Sequence, residues 1–181
     1  EAPTTEQLDF LKRAQYVYRI AITAAPNDLS LQHLARALTT ASSLAREVDG
    51  IIRDVATSRL MTADDARRII KADALDPQDH VEIATYEQGE ITLQTLGLAK
   101  FGHLDFVARE LKPSRACLVK DAMWSLVEQC MRGKHAAPGV TVPLNSANVG
   151  FIIDKEPLMH RNRYGTLRLV DEYSDGTVPN E

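Results

Sequence analysis

The sequence predicts an α+β fold, with a mixed or antiparallel sheet containing ferredoxin-like β-α-β elements and helices mainly on one face. Three observations lead there. Apolar residues alternate with a period of two over residues 16–24, on both sides of Gly89 and through the last third of the chain. They recur at helical spacing over residues 31–48 and 114–132. Capping residues and glycines punctuate these stretches, and no internal repeat or low-complexity linker interrupts them. A single domain over 1–181 is expected, with a short helical arm at about 1–15 and a polar acidic tail at about 171–181.

Taken in order, Thr4 to Gln7 matches a capping box and predicts a helix over about residues 5–14. Residues 16–24 follow as the clearest strand, with Tyr16, Tyr18, Ile20, Ile22 and Ala24 on one face. Pro26-Asn27-Asp28 ends it, and Asp28 or Ser30 can cap a helix whose apolar positions are Leu31, Leu34, Leu38, Ala41, Ala45 and Val48. Thr39, Thr40, Ser42 and Ser43 then form its solvated face, and Gly50 closes it. A second strand over 51–57 completes a β-α-β unit. Thr62 to Asp65 opens a short charged helix that ends near Ala72, and the stretch 72–79 around Asp76-Pro77 is the best hinge.

Residues 80–86 and 90–96 form a hairpin around Gly89. A helix is expected from about His103, with Leu104, Val107, Ala108 and Leu111 on one stripe and Pro113 as its stop. The next helix runs from Ser114 to about Arg132, burying Val119, Met123, Leu126 or Val127, and Cys130. Trp124 either widens that buried face or anchors a partner. Strands at 140–144, 149–154 and 166–170 finish the fold.

Composition bounds the function. The 181 residues are 44% hydrophobic and 25% charged, ordinary for a globular chain. A formal net charge of -4 argues against nucleic acid as partner, because neutralising phosphates needs a cationic surface. No apolar run reaches the roughly 18 to 20 residues that span a bilayer. Cys117 and Cys130 sit 13 positions apart in one predicted helix, about 20 Å along its axis, too far for a mutual disulfide. Both are read as unreactive core thiols. The lack of a disulfide framework favours the cytoplasm, while a start at Glu1 also fits a periplasmic or secreted chain after signal-peptide removal.

The segment Thr95-Leu-Gly-Leu-Ala-Lys-Phe-Gly-His-Leu-Asp105 resembles the T-x-G-L-x-x-F-G-x-x-(D/E) signature of a family of bacterial proteins of unknown function. Gly97, Phe101, Gly102 and Asp105 match it, although Leu104 stands where the family tends to have proline. The resemblance implies a bacterial origin and an α+β fold, and brings no activity, cofactor or catalytic residue.

Two segments carry candidate binding chemistry. In the glycine-bracketed turn, Gly97, Lys100, Phe101, Gly102, His103 and Asp105 make a site-like shape, and an imidazole two residues from a carboxylate invites metal or acid-base chemistry. Residues two apart at a helix start diverge, however, and no third ligand stands nearby, so capping is the simpler reading. His160, Arg161, Arg163 and Tyr164 form a second cluster suited to a carboxylate or phosphate, with a solvated basic loop as the plainer alternative.

The sequence carries no nucleophile elbow, phosphate loop, dinucleotide fingerprint or metal-ligand spacing, so no catalytic residue, metal or cofactor is expected. The leading functional reading is a non-catalytic bacterial protein-interaction module, accessory or immunity-type, holding an unidentified protein partner through a sheet face or the 97–105 turn. A binder or sensor of a small anionic ligand is the second reading. A hydrolase or transferase with dispersed groups such as His103, Asp105 and His160 is the third.

Overall fold

The computed structural model describes residues 4–21, 31–72, 75–134, 141–143, 150–155 and 166–171. The chain is α+β and divides into two compact units, residues 1–79 and 80–181.

In the first unit, α1 (Thr5–Arg13) starts on the expected capping box, in which Thr4 Oγ1 accepts from Gln7 N–H and the Gln7 side chain accepts from Thr4 N–H. α2 (Gln32–Glu47) follows, with Leu31 at the cap position. Asp28 and Ser30 lie outside the described residues. The extended hairpin pair β1 (Ile52–Arg53) and β2 (Leu60–Met61) is antiparallel. α3 (Ala63–Lys71) begins on the predicted capping box between Thr62 and Asp65, with Asp64 and Asp65 in its first turn and Arg68 and Lys71 in its last.

Three expectations fail in this unit. Residues 14–21 are exposed and carry no regular secondary structure, and among the described residues they pair with no strand and β1 pairs with β2 alone. Among the described residues, no ferredoxin-like β-α-β unit is formed there. Residues 22–24 of the expected strand lie outside the described residues. Ser42 is not solvated either: it is buried, and its hydroxyl donates to the Ala63 carbonyl at 2.9 Å. A small side chain at that position lets α3 start close against α2, beside buried Ala45 and Ala66. Val48, expected on the buried stripe, is exposed.

The short helix α4 (Pro77–His80) lies across the unit boundary, at the end of the expected hinge stretch. The guanidinium of Arg68 holds the Asp79 carboxylate through bonds of 3.0 and 3.4 Å, and Arg59 donates to the Gln78 carbonyl at 2.8 Å.

The second unit is built on β3 (Glu82–Gln88), β4 (Glu90–Leu96), β5 (Asp105–Leu111), β6 (Thr141–Pro143), β7 (Gly150–Lys155) and β8 (Thr166–Asp171). Among the described residues these form a six-stranded mixed sheet in the order β3-β4-β5-β8-β7-β6. All neighbours are antiparallel except the parallel pair β5 and β8. The β3–β4 hairpin turns at Gly89 as expected, with φ +87. The strands at 141–143, 150–155 and 166–171 also fall where the sequence placed them.

The expected helix over 103–111 is instead β5. Phe106 and Ala108 face the core beside Leu93, while Val107 is buried on the other side of the sheet. Glu110 has φ +58, and the register shifts between Ile91 and Leu93, so a β-bulge returns Leu111 to the core face. A central strand buried on both faces has no clean alternation, and Phe106-Val107-Ala108 reads as a run.

α5 (Pro113–Met131) covers the core face, starting on Pro113 at its first turn and passing into Gly133 at φ +80. Val119, Met123, Leu126, Val127 and Cys130 are buried as the sequence requires. Trp124 is half-buried against the same cluster, which agrees with a widened core face.

Candidate functional site

The 97–105 turn is fixed by its own backbone and by one carboxylate. β4 runs into Gly97 at φ 116, a region that penalises any Cβ, and one turn of 3-10 helix follows over Leu98–Phe101. Lys100 N–H donates to the Gly97 carbonyl at 3.1 Å, Gly102 N–H to Ala99 at 3.2 Å, and His103 N–H to Leu98 at 3.2 Å. Gly102, at φ 75, reverses the chain.

Asp105, at the head of β5, then locks the turn. Its Oδ1 accepts from Leu98 N–H at 3.2 Å and from the Thr95 hydroxyl at 3.1 Å. Thr95 Oγ1 in turn accepts from Phe106 N–H at 2.7 Å. Thr95, Leu98 and Phe106 are wholly buried. Burial pushes the Asp105 carboxyl above its ordinary value, opposed by the Leu98 N–H, the Thr95 hydroxyl, the Gly97 N–H and the charge of Lys100.

These contacts explain the residue pattern of the segment as folding chemistry. The threonine and aspartate tie β4 to β5, the glycines supply two left-handed conformations, and Leu98 plugs the core. Asp105 caps no helix. Phe101 is half-buried and meets the edge of buried His80, with ring centres 5.8 Å apart at 88°. Lys100 and His103 are half-buried, so the parts of the turn most open to solvent are Ala99, Gly102 and Leu104.

The second cluster, His160, Arg161, Arg163 and Tyr164, lies outside the described residues. Among the described residues no three metal-ligating side chains converge.

The cysteines divide. Cys130 is buried, as expected, but Cys117 is exposed and is not a core thiol. At about 100° per residue, Cys117 sits about 200° around the helix from Val119, whereas Cys130 sits about 20° from it. A maleimide probe is therefore expected to label Cys117 in the native chain and Cys130 only after unfolding. Native protection of Cys117 would overturn the orientation of α5.

Two surfaces escaped the sequence reading. On the sheet face away from α5, Tyr86, Glu90, Thr92, Gln94 and Arg109 line a shallow depression of about 300 Å³. The alternation of the hairpin held the signal, since Ile83, Leu93 and Thr95 take the opposite face. Arg109 could not be placed while residues 103–111 were expected to be a helix; as a strand, they carry it on the face of Val107. The other surface is the arm at 14–21, where Val17 is 93% exposed, Tyr16 77% and Tyr18 60%. No protein family, curated protein or solved structure matches this chain.

Proposed function

We propose that this chain is a non-catalytic protein-interaction module of the accessory type, and that its N-terminal arm is the contact element. The observation that carries this reading is the exposed Tyr16-Val17-Tyr18 segment, which lies in no helix or strand. β-branched and aromatic residues in period-two alternation favour a paired strand, yet this segment has no strand partner among the described residues. The preceding helix adds to the surface, because α1 buries none of its residues and leaves Leu8 and Leu11 exposed. Single exposed apolar residues are ordinary on a protein surface, but a contiguous apolar run marks an interaction site.

The sheet depression does not favour the anionic-ligand reading. Arg109 offers a cation, but Glu90 lines the same hollow and opposes an anion there.

A photo-crosslinking residue at position 17 tests the proposal. The expected result is a discrete adduct with one protein on irradiation in cells, lost when Tyr18 is replaced by Asp. Irradiation that leaves the chain uncrosslinked would overturn it.

A further inference from the structure

We propose that the partner is a second copy of this chain, whose β3 receives the arm as an added antiparallel strand. This rests on the arm being a contact element. An edge strand presents every second N–H and C=O outward, and an extended segment that supplies the complementary groups extends the sheet. The described sheet ends in β3 on one side and β6 on the other. The two edges differ in what they offer. β6 has three residues and includes Pro143, which lacks an N–H, whereas β3 has seven residues and no proline. The arm, residues 14–21, is of matching length.

Charge and side-chain parity select one register. Tyr16 and Tyr18 belong on the face of β3 that carries Ile83 and Thr85, so that apolar surface meets the core side of the sheet. Among antiparallel registers with that parity, residues 14–19 opposite residues 87–82 set Arg19 against Glu82 and Tyr18 against Ile83. Val17 then lies opposite Ala84 and diagonal to Tyr86, which is half exposed at that edge. Parallel pairing at the same parity sets Tyr16 against Ile83 and Arg19 against Tyr86, without the charge match. Reciprocal exchange of the two arms about a twofold axis closes the assembly as a dimer.

The test is the mass of the full chain by sedimentation equilibrium across a concentration series. A dimer is expected, reduced to monomer by Val17→Pro, a change in an exposed segment. Arg19→Glu alone and Glu82→Arg alone should each raise the dimer dissociation constant about ten-fold, since each sets like charges opposite one another. Mixing these two variants should restore a heterodimer of native affinity, because both of its arm-to-edge pairs are then matched in charge. A chain that stays monomeric at every concentration overturns the inference, as does a dimer indifferent to Val17→Pro or a mixture that fails to associate. The crosslink at position 17 separates the two levels: an adduct with a different protein keeps the interaction reading and removes the second copy as partner.

Discussion

Met123→Asp is expected to cost the second unit about 3–5 kcal/mol, enough to unfold a marginal domain. Met123 is 0% exposed and packs in one cluster with Leu93, Phe106, Val119, Val127 and Cys130. A carboxylate there loses its water and gains no partner, and the methionine volume is lost as well. Thr40→Asp is the control. Thr40 is exposed on α2 and its hydroxyl donates to the Arg36 carbonyl of its own helix, so its replacement should stay within about 0.5 kcal/mol. Leu38→Asp falls between them, because Leu38 is half-buried rather than enclosed. Chemical denaturation measures all three, and equal losses for Met123→Asp and Thr40→Asp would contradict the helix faces.

Asp105→Ala is expected to cost about 2–3 kcal/mol, because Leu98 N–H and the Thr95 hydroxyl lose their acceptor where water is scarce. Asp105→Asn keeps an acceptor oxygen without the charge, and should stay within about 1 kcal/mol of the native chain at neutral pH. The pH dependence has a definite sign. A carboxyl whose folded pKa lies above the unfolded 3.8 binds its proton more readily in the folded state. Its ionisation therefore removes stability as pH rises from 3.8 through the raised value, and Asp105→Asn should abolish that slope.

Asp65 in the first unit behaves oppositely. Bonds from the Thr62 hydroxyl and backbone hold its carboxyl below 3.8, so its contribution is present above 3.8 and is lost as pH falls through the lowered value. Trp124, the single tryptophan and half-buried against the second unit's core, isolates the Asp105 effect by fluorescence. A native slope unchanged in Asp105→Asn would refute the assignment.

Much of the candidate turn was legible as geometry and illegible as chemistry. Gly97 and Gly102 marked a sharp reversal, and both adopt positive φ. The role of Asp105 was not legible, because its partners Thr95 and Leu98 meet it only once β4 and β5 are paired. Arg109 joined Tyr86, Thr92 and Gln94 for the same reason: only pairing with β4 makes residues 105–111 a strand, whose alternation puts Arg109 on the face of Val107.

The sequence by itself determined the elements whose stabilisation is local. The capping boxes at Thr4 and Thr62 and the Gly89 hairpin rest on contacts within a few residues, and the stripe from Val119 to Cys130 on a helical period, so all can be read in order along the chain. Only the tertiary structure decided the segments whose local pattern has two solutions. Leu104, Val107, Ala108 and Leu111 have helical spacing, yet pairing with β4 on one side and β8 on the other makes this stretch a strand. Residues 16–20 have strand spacing, yet they gain no ladder within the described chain. A strand is stabilised by hydrogen bonds to a neighbour near or far in sequence, or in another molecule, so alternation specifies a strand's faces but not its partner.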